Sequence, residues 1–270
     1  MTDSGEMLNV SPRRVLLFRG LALLTGLLFL GAGLTAALAG WGIGSGGTGD
    51  AHAEADRWFI AVSGTADTIF AGSLLALAWR PQLPLLFFFN VAAFVVAAVI
   101  NLPVDPRFAA ILAVVLPSLL AFPYWSQLRT APSWWRRPHA LILCVSAVAT
   151  LVVLAVAVMA VSRQIGGTDT AARANWWADY AEHVSVLALA GLIASSGRPG
   201  WRILGALAAA GWVNLGLLAA LPLSDHTGSW GVLGGLLGTA VGVVLAVGST
   251  RGDAAGWSLR RHGPQVAASG

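Results

Sequence analysis

Asp67, Asp179, Glu182 and His183 are ionisable residues set in apolar surroundings. Three of them fall in the stretch 175–201, NWWADYAEHVSVLALAGLIASSGRPGW, which opens on aromatic and acidic residues and turns into an apolar run. Asp179 and His183 are four residues apart and share one helical face, with Glu182 on an adjoining face. A carboxylate one turn before an imidazole can orient the ring and raise its basicity, which suits proton transfer or half of a metal site. The plainer alternative is an interfacial cap whose charges reach the headgroups. Asp67 lies nine residues inside Trp58, roughly 14 Å along a helix rising about 1.5 Å per residue. An ionised Asp at that depth of a bilayer costs about 2.5–3.5 kcal/mol on insertion scales. It is therefore expected to be paired, hydrated or protonated, and Ser63 shares its face. The alternative is a neutral Asp hydrogen-bonded to a neighbouring helix. Asn214 joins the candidate ligand or proton-binding groups, and Asn101, Asp225, His226, His52, Glu54 and Asp56 fall at a similar level.

The elements that must hold these groups follow from composition. The chain has 270 residues, 57% hydrophobic and only 10% charged, with a mean hydropathy of +0.75. A soluble domain carries about 25% charged residues, so most of this surface must face lipid. All 16 basic residues are Arg. With the Ala/Gly bias, this suggests a bacterial, GC-rich source. Without Lys, no Schiff base can form. The arginines are spread over short loops, so the high isoelectric point is no nucleic-acid signal. Cys144 is the only cysteine. An internal disulfide and a dithiol cycle are excluded, and Cys144 is expected to be a small buried apolar residue.

Eight segments are long enough to cross a bilayer: 15–40, 58–79, 83–102, 108–127, 139–161, 176–196, 202–221 and 229–248. The fourth contains Pro117 and Pro123 and is expected to be a kinked span. The first is read as an uncleaved helix, since its apolar run exceeds the 7–15 residues of a signal peptide. With the N-terminus cytoplasmic, only Arg57, Arg107, Arg163 and Arg173 of the arginines fall outside. This positive-inside bias puts both termini in the cytoplasm of a bacterial plasma membrane. Tryptophans at the borders, among them Trp41, Trp58, Trp79, Trp176, Trp177, Trp201 and Trp230, are expected at headgroup level.

An internal repeat is visible. Arg80-Pro81 matches Arg198-Pro199, Leu102-Pro103 matches Leu221-Pro222, and Asp105 matches Asp225. The expected fold is all-α: a polytopic membrane protein with eight transmembrane helices in two pseudo-symmetric four-helix halves, residues 1–130 and 131–250, and a short cytoplasmic tail, 251–270. The halves would share one orientation, the parallel type of repeat. Gly234, Gly238 and Gly242 form a stripe, as do Gly64, Thr68 and Gly72. Such stripes permit close packing within the chain, or against a second copy or a membrane-complex partner.

Several chemistries find no motif. There is no GxxxxGK[ST] loop, no GxSxG elbow, no HExxH and no His pair at i,i+4. No metal, cofactor or nucleic-acid partner is expected; the bilayer is the certain partner. The residues point first to a transporter-like protein moving a small solute or ion between its halves. The alternatives are a membrane-embedded hydrolase or transferase, with His183 as base and Asp179 orienting it, and a non-catalytic accessory subunit.

Overall fold

A computed structural model describes residues 11–43, 57–105, 108–124 and 140–251. Their helices are α1 (Pro12–Gly40), α2 (Arg57–Trp79), α3 (Pro84–Asn101), α4 (Phe108–Leu120), α5 (Ala140–Gly166), α6 (Thr170–Arg173), α7 (Trp176–Ala194), α8 (Trp201–Ala220) and α9 (Gly231–Arg251). Six of these, α1, α2, α3, α5, α8 and α9, are long and apolar enough to span a membrane. The chain is thus a largely helical, multi-pass membrane protein. His52, Glu54, Asp56, Arg107, Trp125, residues 131–139 and residues 252–270 of the expected tail lie outside the described residues.

The fourth segment ends earlier than expected. Helix α4 keeps Pro117 inside it but stops at Leu120 rather than 127. Pro123 has no N–H to continue the ladder, and it pushes the residue before it out of the α region. Helix α5, by contrast, runs on to Gly166.

Burial divides the helices into two sets. Much of α2, α3 and α8 is enclosed, whereas α1, α5 and α9 are mostly open to the surroundings. Leu16, Leu24, Leu151, Val152, Leu233 and Leu237 stand exposed on those outer helices, a face suited to lipid. Helix α7 is central too, with Trp177, Tyr180, Val184 and Leu187 all buried. Around this centre α1 runs along α2, α5 along α7, and α9 along α8. Helix α3 packs on α7 and α2, and α8 packs on α2 and α7. Helix α4 touches α1 and α3, and α5 touches α9.

Glycine sets the closest approaches. Gly64 faces the Gly33–Ala37 backbone of α1, and Gly72 meets Leu207 of α8. Gly242 meets Ala209 and Val213 of α8, while Gly234 and Gly238 accommodate the Trp230 ring. Both stripes are thus used inside the chain. Gly235, off the expected stripe, lies in a tight part of the α8–α9 contact: a Cβ there would lie 2.5 Å from both the Ala220 nitrogen and the Gly216 oxygen.

Trp58 and Trp177, at the borders of their helices, are buried within the bundle. They begin the central helices α2 and α7, so their rings pack inward; Trp58 meets Trp230 edge-on at 5.4 Å and Trp177 meets Phe59 at 5.1 Å. Trp79 is 80% exposed, as a border residue should be. Cys144 is exposed rather than buried, because it lies on the outward face of α5.

The glycine contact yields a stability test. Gly235→Val should cost about 1–3 kcal/mol through overpacking and lower the thermal midpoint of the purified protein. Gly20→Ala, where a Cβ meets nothing within 4 Å, should leave the midpoint unchanged or raised. Equal midpoints for both variants would contradict this packing.

Candidate functional site

The site begins with how α7 is started. Asn175 takes a left-handed conformation, φ 64°, and turns the chain from α6 into α7. Its side-chain amide donates to the Val104 carbonyl, 3.3 Å away beyond the end of α3. Gln164 at the end of α5 donates to the Asn175 side chain at 3.1 Å and accepts from the Ala178 amide at 3.3 Å. Asp169 accepts from the Ala172 amide at 2.7 Å and so caps α6. These bonds fix the rotation of α7, and with it the direction of Asp179, Glu182 and His183.

That rotation turns all three into one cavity of about 260 Å³, bounded by α1, α2, α3, α4 and α7. From α2 come Ser63, Ala66, Asp67 and Phe70; from α7 come Asp179, Glu182, His183 and Val186. The two sets have the same i, i+3, i+4, i+7 spacing, one helical face each. Helix α3 adds Ala93, Phe94, Ala97 and Asn101, and Asp105 follows it. Asp67 and the α7 cluster, separated by more than 100 residues, therefore share one interior.

His183 is the centre of the cluster. Its Nδ1 lies 2.5 Å from the backbone carbonyl of Asp179. A carbonyl only accepts, so Nδ1–H is the donor. Its Nε2 lies 3.8 Å from Asp67 Oδ1 and 3.8 Å from Glu182 Oε1. The ring is thus oriented by the Asp179 backbone, not by its carboxylate as the sequence suggested. Glu182 also accepts from the Asn101 amide nitrogen. The Ser63 hydroxyl is 3.4 Å from Nδ1, but the proton on Nδ1 is already given to the carbonyl. Ser63 therefore has no free base beside it, and the pair is not an activated nucleophile.

Charge at the site is one-sided. Four carboxylates line the cavity, Asp67, Asp105, Asp179 and Glu182, with one imidazole. No Arg lines it among the described residues. Like charges gathered where water is scarce repel one another. Among the described residues no group of three or more His, Cys, Asp or Glu is placed to hold a metal ion.

Asn214 is not part of this cavity. Its amide nitrogen donates to Thr65 Oγ1 at 2.9 Å, and its oxygen accepts from Trp41 Nε1 at 2.9 Å. It joins α8 to α2 and to the end of α1. His226 and Asp225, on the loop before α9, do not line the cavity either. The phenylalanines of the wall, Phe29, Phe70, Phe94 and Phe108, were not singled out in the sequence. Spacing alone offered a signal: Phe70 follows Asp67 by three residues and Phe94 precedes Asn101 by seven. No protein-family model, no curated protein and no solved structure matches the chain.

The ring geometry has a spectroscopic consequence. In protein labelled with ¹⁵N-histidine, the His183 resonance, assigned by its loss in His183→Gln, should show a protonated Nδ1. A neutral ring carrying its proton on Nε2 would contradict the assigned bond.

Proposed function

We propose that this chain is a transporter-like protein of the bacterial inner membrane, which moves a small solute or ion between two four-helix halves. Asp67, Glu182 and His183 are its proton- or ligand-binding groups, with Asp179 beside them. The observation that carries this reading is the convergence of the α2 and α7 polar faces on one cavity in the interior of the bundle. Buried acids in a membrane are most often kept for moving ions or protons.

The packing supports the two halves. Exchange α1 for α5, α2 for α7, α3 for α8 and α4 for α9. The α1–α2 contact becomes α5–α7, α2–α3 becomes α7–α8, and α3–α4 becomes α8–α9. The α1–α4 contact becomes α5–α9, and α3–α7 becomes α8–α2. The pairing of helices thus maps onto itself, as two parallel repeats require. The cavity falls between α1, α2, α3 and α4 of the first half and α7 of the second. The Arg80 and Arg198 turns lie at the end of the bundle where α2 and α7 finish, and the positive-inside rule makes that end cytoplasmic, with both termini there.

The cavity lies toward the opposite end. On the Arg80 side of it, Leu74, Leu77, Leu86 and Phe89 are fully buried or nearly so. Passage of a solute requires these side chains to separate, which rocking one half against the other provides. His183 Nε2 has two carboxylate neighbours, so it can take a proton from Glu182 on one half and give it to Asp67 on the other as the halves move. The hydrolase reading loses its orienting carboxylate, since the Asp179 backbone holds the ring.

The test is proton movement in proteoliposomes loaded with a pH-sensitive dye and challenged with small sugars, amino acids, carboxylates, inorganic cations and amines. At least one class should drive proton movement through the wild type. Asp67→Asn, an isosteric change, should lower the initial rate roughly tenfold or more, as expected for a group worth at least 1.4 kcal/mol to the process. No response to any class, or an unchanged rate in the variant, would overturn the reading.

A further inference from the structure

Between the cavity and the Arg80 end, four helices each carry one buried polar side chain at the same level. The cavity residues nearest that end are Phe29 of α1, Phe70 of α2, Ala93 of α3 and Val115 of α4. One turn further on, roughly 5 Å along each axis, the same helix faces present Thr25, Ser73, Asn90 and Ser118. All four are buried. Thr25 Oγ1 and Ser118 Oγ are 2.8 Å apart and join α1 to α4, and either can donate. Asn90 Nδ2 donates to Ser73 Oγ at 2.7 Å and joins α3 to α2. The cavity face of α7 differs: after Val186 it continues as Ala190, buried and apolar. Polar groups therefore lead on from the cavity between α1, α2, α3 and α4, and not along that face of α7.

Hydrogen bonds that merely hold helices together would account for the two pairs. Two observations go beyond that role. Asn90 Oδ1 is enclosed and has no hydrogen-bond partner. A buried acceptor left so weighs against the packed arrangement, and water admitted beside Asn90 relieves it. The other observation is the build of α4. Only Phe108, Val115, Ser118 and Leu119 of it are buried, while Ile111, Val114, Leu116 and Leu120 are exposed. Pro117 lies between Val115 and Ser118 and leaves the Ala113 carbonyl without its helical donor, a place where a helix bends. Just past α4, the Phe122 ring stacks on Phe87 of α3 at 3.8 Å and meets Phe18 of α1 edge-on at 5.4 Å. All three rings are buried. Bending α4 outward at Pro117 carries its exposed face into lipid and draws Phe122 from between α1 and α3.

We propose that protons leave the cavity by a water route between α1, α2, α3 and α4, past Thr25, Ser73, Asn90 and Ser118, and that Phe122 is its gate. Asp67 gives its proton to water. The charge then moves along water and hydroxyl oxygens, each accepting one proton as it releases another. This gives the transport reading a proton exit separate from the apolar seam that a solute must part, and it rests on that reading for its role.

Thiol reactivity in the purified full chain tests this, in a Cys144→Ala background, with a water-soluble, positively charged methanethiosulfonate. A thiol reacts with it as the thiolate, which needs water. Ser118→Cys should react at least roughly tenfold faster than Ala190→Cys, an equally buried position on α7. Adding Phe122→Ala should speed Ser118→Cys by roughly tenfold again. Leu204→Ala, a buried truncation on α8, should not. In proteoliposomes without solute, Phe122→Ala should also raise the passive proton leak above that of wild type and of Leu204→Ala. Each variant is checked for a cooperative thermal transition. Equal reactivity at Ser118→Cys and Ala190→Cys, or Phe122→Ala and Leu204→Ala acting alike in both assays, would overturn the proposal. Solute-driven proton movement with Ser118→Cys unreactive would sink the route and leave the transport reading standing. A reactive Ser118→Cys gated by Phe122, with no proton movement for any solute, would do the reverse.

Discussion

A carboxylate in the apolar interior of a membrane protein is stable only where something meets its charge. Here that constraint is concentrated on one imidazole. His183 faces Asp67 and Glu182 at 3.8 Å each, while its other nitrogen is anchored on the Asp179 carbonyl. Turning the ring would break the anchor and leave two carboxylates facing each other. The rotations of α2 and α7 are thus tied together through a single side chain. Asn101 extends the tie to α3 through Glu182.

The rest of the bundle serves that arrangement. Lipid-facing helices α1, α5 and α9 shield the central helices, and glycine lets α1 and α9 come close to α2 and α8. At the end where α2 and α7 begin, Trp58, Trp177, Tyr180 and Trp230 pack into an aromatic cluster, with the Trp230 indole donating to the Tyr180 oxygen at 2.9 Å. That cluster fixes the relation of α2 to α7 one to two turns above the charged groups. On the other side of the cavity, leucine and phenylalanine fill the bundle. Polar groups therefore occupy a limited stretch between two apolar packings, where charge differences act most strongly.

Much of this was legible in the sequence. Helix positions followed from runs of apolar residues, because the length of a membrane-spanning helix is set by the bilayer. The shared face of Asp179 and His183 followed from helical periodicity. What periodicity could not supply was the azimuth of each helix relative to its neighbours. For that reason Asn214, an apparent site residue, turned out to hold Thr65 and Trp41, and Asn101 emerged as the partner of Glu182. Cys144 failed for the same reason: residue type indicates a preferred environment, but only packing decides which side of a helix is inside. The length of α4 depended on how Pro123 acts within its own turn, which hydropathy does not register.

The central claim is that Asp67 and His183 interact directly across the cavity. A double-mutant cycle on the thermal and denaturant stability of the purified chain measures this, using Asp67→Asn, His183→Gln and the combined variant. A coupling of roughly 0.5–3 kcal/mol is expected for residues in contact, with the double variant less perturbed than the sum of the singles. Strict additivity, within about 0.3 kcal/mol, would mean that the two side chains do not meet, and the shared site would fall.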